Sequence, residues 1–339
     1  MNKPRKALLL VNVGTPDRPK VGAVRRYLTQ FLNDPRVIDI PWLGRKLLVN
    51  GIIIPFRAKN STELYKKLWT DKGSPLLINL EELVGKLQRL ADNDYTVFGA
   101  MRYGNPSLKK VLNDINRKRF DEIVVFPLFP QYASSTTGSV ADYVMQQVKK
   151  WNVIPSVRVI NQFYRDPSFL SAFAEKINSY HPEDYDRILF SYHGLPIRQI
   201  DKVHPEVSEA SCNCENELPE HGRFCYKATC YETTRLLANK LGLDPNKHQT
   251  AFQSRLSKNW LKPFSDETIK ELAEQGAKKL LVVAPSFVAD CLETTIELGD
   301  EYKELFEKNG GEQLTLVESL NSDDRWVEAI KEIVKGEGW

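Results

Sequence analysis

The sequence predicts an α/β fold made of two similar halves, each a parallel sheet flanked by helices. Three observations point there. First, short apolar runs recur along the chain: Ala7 to Val13, Tyr95 to Ala100, Glu122 to Phe126, Val157 to Ile160, Arg187 to Tyr192 and Lys279 to Ala284. They are nearly continuous rather than alternating, as expected of parallel strands covered on both faces. Second, helix-period segments lie between them, including Leu76 to Leu90 and Gly138 to Trp151. Third, the runs repeat. LLVNVGTP (Leu9 to Pro16) aligns with LFSYHGLP (Leu189 to Pro196), setting Gly14 on Gly194 and Pro16 on Pro196, and IVVFPLF (Ile123 to Phe129) resembles LLVVAPSF (Leu280 to Phe287).

The 339 residues suffice for two domains. The expected boundaries are 1–165 and 166–322, with a final amphipathic helix within 323–336 that can pack back on the N-terminal half. In open parallel sheets ligands collect beyond the carboxyl ends of the strands, so two such halves facing each other would form a cleft from their strand-end loops.

Composition narrows the function. Hydrophobic residues make up 42% and charged residues 27%, the balance of a globular protein. Lys and Arg number 47 against 44 Asp and Glu, so a net charge of +3 leaves no electrostatic footprint for nucleic acid. The first apolar run stops at Gly14-Thr15-Pro16, too short for a signal peptide, and no later stretch approaches the roughly 18 apolar residues of a spanning helix. A cytoplasmic protein is expected. Residues 41–57, PWLGRKLLVNGIIIPFR, are more apolar than one helix face requires. They are either a buried helix or an exposed lip that touches a large apolar ligand or the membrane surface peripherally.

Three features carry chemistry. His193 stands where a predicted strand ends in Gly194 and Pro196, the position at which α/β folds present functional groups, and a neutral imidazole takes a proton or holds a metal. Asp290, Glu293, Glu297 and Asp300 are spaced three, four and three apart, which would set all four on one face of an α-helix. A solvated helix face explains such a stripe equally well, but this one begins directly after the apolar strand that ends in LLVVAPSFVA. Cys212, Cys214, Cys225 and Cys230 follow the pattern C-x-C-x10-C-x4-C, with His221 inside the loop. Four thiolates at short range suit a tetrahedral zinc site or a [2Fe-2S] cluster, and spacing does not choose between them. Disulfides would require an oxidising compartment.

Four stretches together resemble the ferrochelatase family over nearly the whole chain: LLLVNVGTP with FLNDPRVIDIP (Phe31 to Pro41); RYGNPS (Arg102 to Ser107) with FPLFPQYASSTTGS (Phe126 to Ser139); SYHGLP (Ser191 to Pro196); and FVADCLETTIELGD (Phe287 to Asp300), preceded by SRLSKNWLKP around Trp260. The resemblance implies two Rossmann-like, chelatase-like halves with a porphyrin cleft between them and no nucleotide cofactor. No G-x-G-x-x-G or Walker loop follows any strand. It implies an enzyme of haem biosynthesis that inserts Fe(II) into protoporphyrin IX and releases two protons, coproporphyrin III being the alternative substrate. A non-catalytic porphyrin or haem carrier and an iron-sulfur regulatory protein are the readings of other classes.

On this pattern His193 is the proton acceptor or iron ligand and Glu293 its catalytic partner, with Asp290, Glu297 and Asp300 as an outer path for metal or protons. Arg102, Tyr103, Tyr132, Ser134, Thr136 and Trp260 are expected at the porphyrin: aromatic faces suit a flat ring, and hydroxyl or guanidinium groups suit propionates. The Ser134 to Thr137 hydroxyls equally suit caps at a helix N-terminus. Cys291 stands where some family members carry a histidine. The segment from His204 to Cys230 is similar to the internal cysteine insertion of some bacterial members, which favours [2Fe-2S] over zinc.

Overall fold

The computed structural model describes residues 4–91, 94–204 and 206–336. Of the basic start of the chain, residues 1–3 lie outside them. Two compact units emerge: one holds residues up to 129, 133–162 and those from 322 onward, the other 130–132 and 163–321.

The first unit runs β1 (Lys6–Thr15), α1 (Val21–Leu32), α2 (Trp42–Lys46), α3 (Ile54–Leu68), α4 (Pro75–Leu90), β2 (Thr96–Gly104), α5 (Leu108–Lys118), β3 (Glu122–Pro127), α6 (Ser139–Val148) and β4 (Ser156–Val159). Its four parallel strands lie in the order β2-β1-β3-β4. The central strand β1 is buried along almost its whole length, which explains its unbroken apolar run. Leu9, Val11, Ile123 and Val125 meet Leu112 and Ile115 of α5 and Val140 and Val144 of α6 in one core cluster. The C-terminal helix Asp324–Lys335 belongs to this unit and carries Trp326, which is fully buried with its ring 6.3 Å from that of Phe126.

The second unit repeats the plan. It contains α7 (Pro167–Asn178), β5 (Arg187–His193), α8 (Ile197–Asp201), α9 (Tyr226–Leu241), β6 (His248–Gln253), α10 (Ser265–Glu274), β7 (Lys279–Val283), α11 (Tyr302–Lys308) and β8 (Gln313–Leu316). Its parallel strands lie in the order β6-β5-β7-β8, the first sheet's order strand for strand. The aligned sequence runs occupy equivalent places, β1 with β5 and β3 with β7. Strands β6 and β8 gave no apolar run: HQTAFQ is polar, QLTL is short, and both lie at sheet edges, where one side needs no strand partner.

The shared strand ending has a physical cause. Gly14 adopts φ +125°, and a Cβ there would stand 1.8 Å from the carbonyl oxygen of Tyr103 on β2. At Gly194 a Cβ would stand 2.8 Å from the carbonyl oxygen of Gln253 on β6. In both units a glycine therefore stands at the carboxyl end of the first strand, Gly14 as the penultimate residue of β1 and Gly194 directly after β5, because the neighbouring backbone comes too close for a side chain.

Residues 41–57 resolve as helix with an exposed apolar side. Between α2 and α3 the chain forms a π-helical segment, Leu47–Ile53, and Trp42, Leu43, Leu47, Ile52 and Phe56 face solvent while Arg45, Val49 and Ile54 point inward. Among the described residues no helix is long and apolar enough to cross a membrane.

Trp326→Ala is expected to lower the stability of the first unit by about 3–5 kcal/mol, the usual cost of emptying a buried aromatic site. Hydrogen exchange in urea, read at amides of β3 and of the C-terminal helix, checks this. Unchanged protection there would contradict the packing described.

Candidate active site

His193 ends β5, half-buried, with its ring between Trp260 (6.4 Å between centroids) and Phe287 (6.3 Å). Its Nδ1 lies 2.7 Å from the carbonyl oxygen of Gly194. A carbonyl only accepts, so Nδ1 carries the proton of this bond and the Nε2 lone pair of the neutral ring stays free for a proton or a metal. Trp260 reaches this position through an antiparallel bridge to Pro196.

Glu293 opens the segment after β7. Its backbone carbonyl accepts from Gln253 Nε2 at 3.1 Å, and Gln253 is the register partner of His193 across β5 and β6. One amide thus links the end of the histidine's strand pair to the glutamate's turn. Cys291, two residues earlier, is buried. Burial, reinforced by the negative charge of Glu293 and a hydrogen bond to it, pushes its thiol well above the ordinary range. Cys291 is thus packed as a small buried thiol.

The expected four-carboxylate face does not form. Asp290 precedes the helix and turns its carboxylate to Asn321 Nδ2 (2.7 Å), Ser319 N (3.2 Å) and Thr294 Oγ1 (3.2 Å). Residues Glu293–Glu301 are π-helical, which widens each turn and breaks the three-and-four spacing that an α-helix would have aligned. Asp300 is exposed, whereas Glu297 points inward and accepts from Ser254 N (2.8 Å), Ser254 Oγ (2.5 Å) and Tyr302 OH (3.0 Å).

In the first unit Arg102 and Tyr103 converge on Asp34, which sequence reading passed over although it lies within FLNDPRVIDIP. The buried Asp34 carboxylate accepts from Arg102 at 2.5 Å, Tyr103 OH at 2.8 Å and Ser139 Oγ at 2.7 Å. Arg102 Nε also donates to Ser139 Oγ at 2.8 Å, and its guanidinium stacks over Tyr103 and Tyr143. Burial, followed by the charge of Asp34, raises the Tyr103 hydroxyl far above the usual phenol range. Tyr103 is 2% exposed and thus holds the scaffold instead of offering a ring face.

Ser134 and Thr136 lie in a π-helical turn, Ser134–Gly138, at the place in the first unit that Glu293–Glu301 occupies in the second. The capping role is not realised. Ala133 holds the N-cap position without a side-chain bond, Ser134 Oγ accepts from Arg36 at 3.2 Å, and Thr136 Oγ1 donates back to the Ala133 carbonyl at 3.3 Å. Arg36 also approaches Asp142 at 3.5 Å, another residue that sequence reasoning left unassigned. Tyr132 belongs to the second unit, its ring edge-on to Phe224 at 6.1 Å.

All four clustered cysteines are free, and Cys214, Cys225 and Cys230 are buried. Burial pushes the Cys214 thiol up to about 12 and that of Cys225 up to about 11. Two histidines contact them: His204 Nε2 lies 3.2 Å from Cys225 Sγ, and His221 Nε2 3.3 Å from Cys212 Sγ. Beside them the buried Lys227 ammonium meets Glu209 at 2.6 Å and Glu215 at 2.9 Å. Among the described residues no three His, Cys, Asp or Glu side chains stand close enough to hold a metal ion. The thiols share a neighbourhood but do not close into a ligand set.

Comparison with known proteins shows the family. The family model described as Ferrochelatase matches residues 5–337. A ferrochelatase of Legionella pneumophila (strain Lens) is 42% identical over 332 residues, covering 97% of this chain and 98% of the relative. One of Coxiella burnetii (strain Dugway 5J108-111) is 41% identical over 342 residues, covering 98% and 94%. Among solved structures, the sirohydrochlorin chelatase SirB from Bacillus subtilis subspecies spizizenii, in complex with cobalt, superimposes with a TM-score of 0.56 at 10% identity, covering 98% of this chain and 94% of its own, a likeness of fold.

Asp34→Ala is expected to cost about 3–5 kcal/mol, because it leaves a mostly buried guanidinium and a phenol without their acceptor. Chemical denaturation of the variant beside Arg102→Ala and the double variant measures this. Additive losses would refute a shared network.

Proposed function

The chain belongs to the ferrochelatase family, enzymes of haem biosynthesis that insert metal into a porphyrin, and from that premise we propose that its own substrates are ferrous iron and protoporphyrin IX. The observation that carries the proposal is the His193 ring, held through Nδ1 by the Gly194 carbonyl, which leaves the Nε2 lone pair as a base or ligand.

Inserting a divalent metal into a free porphyrin requires stripping water from the metal, removing two pyrrole protons and bending the ring until its nitrogens are reachable. His193 Nε2 takes a pyrrole proton or a coordination position, and the Glu293 carboxylate takes the second proton or helps hold the incoming iron. The balance is one Fe(II) and one porphyrin giving one haem and two protons. Trp260 and Phe287 flank the imidazole with apolar surface suited to a tetrapyrrole edge. Arg102, Tyr132, Ser134 and Thr136 remain our candidates for porphyrin contact and Tyr103 for scaffold. Asp300, the exposed carboxylate, is our candidate for an outer path, while Asp290 and Glu297 shape the segment that leads from it.

We further propose that Cys212, Cys214, Cys225 and Cys230 hold a [2Fe-2S] cluster. The donor chemistry fits: four unoxidised thiols in one segment, three of them buried. What they lack is closure, which cluster assembly itself would supply, since metal binding and the folding of short polar loops are coupled. Zinc is the alternative. The exposed Trp42, Leu43, Leu47, Ile52 and Phe56, alongside exposed Arg57 and Lys59, suit peripheral contact with an anionic membrane surface.

Anaerobic incubation with Fe(II) and protoporphyrin IX, followed by haem absorbance, is the primary test. His193→Ala and Glu293→Gln are each expected to slow metallation by about 10²–10⁴-fold with porphyrin affinity nearly intact. A carrier would instead show little dependence on Glu293. Equal or faster turnover of coproporphyrin III would displace protoporphyrin IX as the substrate.

The cluster is judged on protein purified without oxygen. Visible absorbance with equal iron and acid-labile sulfide is expected, and its loss on Cys214→Ser. A colourless protein containing zinc would replace the cluster with a zinc site.

A further inference from the structure

Gln253 is a buried amide at the hinge of the proposed site, with no role in the chemistry above. It ends β6, is 1% exposed and pairs in register with His193. Every polar atom of its side chain is used. Oε1 accepts from Ser191 Oγ at 2.9 Å, two residues before His193 on β5. Ser191 Oγ, having spent its one proton, accepts in turn from Ser265 Oγ at 2.8 Å. On the other side Nε2 donates to the Glu293 carbonyl at 3.1 Å and lies 3.5 Å from Glu297 Oε2. These partners fix the amide's orientation. Flipped, it would set its carbonyl against the acceptors at Glu293 and Glu297.

The backbone continues the link. The Gln253 carbonyl accepts from Gly194 N at 2.8 Å, and Gly194 is the residue whose own carbonyl holds the His193 ring. The next residue, Ser254, adopts φ +62°, a left-handed conformation unfavourable for serine, and both its N and Oγ donate to the Glu297 carboxylate. Glu297 is thus an anchor, with Ser254 and Tyr302 filling it, that holds the turn after Gln253 against the π-helical segment.

We infer that Gln253 is a positioning residue for metal insertion: through Ser191 and Gly194 on one side and the Glu293 carbonyl on the other, it sets Glu293 relative to His193. Glu297 and Ser254 lock the same turn. The inference rests on the assignment of His193 and Glu293 above.

Gln253→Leu removes both ends of the link. Gln253→Glu keeps the size and the acceptor facing Ser191 while replacing the amide donors, and serves if the leucine variant does not fold. Either variant is expected to lower kcat for Fe(II) insertion by about 10–100-fold, the scale of a misplacement near one ångström. KM for protoporphyrin should move less than about threefold, because no substrate contact is lost. Amide exchange over 293–301 should accelerate by roughly tenfold as the restraint goes. A loss carried wholly by KM, or unchanged kcat with unchanged exchange, would overturn the inference. If the wild-type protein inserts no metal, the chemistry assigned to His193 and Glu293 fails on its own. The exchange comparison then still decides whether Gln253 holds the Glu293 turn, and unchanged exchange rejects it.

Discussion

The architecture turns on the backbone approach at the carboxyl end of the first strand in each unit. A parallel sheet leaves its strand-end loops to satisfy their own peptide groups. Here a neighbouring carbonyl is pressed so close to Gly14 and Gly194 that no Cβ fits. In the second unit the same contact makes the Gly194 N–H bond to Gln253, brings β6 level with β5, and leaves the Gly194 carbonyl to grip the imidazole. The glycine that a strand comparison finds first is thus the residue on which the orientation of His193 depends.

Buried charge is handled alike in both units, and this governs which acidic residues are free for chemistry. A buried carboxylate is tolerated only where donors replace its water. Asp34 collects Arg102, Tyr103 and Ser139, whereas Glu297 collects Ser254 and Tyr302. Carboxylates so filled make rigid geometry and poor carriers. Glu293 differs: its backbone carbonyl is held by Gln253 and its side chain meets Cys291.

Of the three π-helical segments among the described residues, one follows β3 and one follows β7, the equivalent loops of the repeat. Such turns are uncommon and concentrate at functional sites, because an extra residue per turn re-aims side chains without ending the helix. Near the cysteines, burial is the largest influence raising the Cys214 and Cys225 thiols, neighbouring thiols add to it, and metal coordination would supply a gain that deprotonates them.

By itself the sequence determined the fold class, the repeat and the histidine. Parallel strands buried on both faces must be apolar without interruption, and the strand-Gly-x-Pro ending marks where such a strand delivers a side chain. Residue pattern was silent on β6 and β8, whose sequences are polar or short, and the single face expected for Asp290, Glu293, Glu297 and Asp300 does not form, because local spacing assumes an α-helical period. Residue pattern assigned no role to Gln253 or Asp34. Only the tertiary structure decided otherwise, because a polar side chain becomes a structural element when partners distant in sequence, Ser191 and Glu293 or Arg102 and Ser139, arrive to satisfy it, and no local pattern records their arrival.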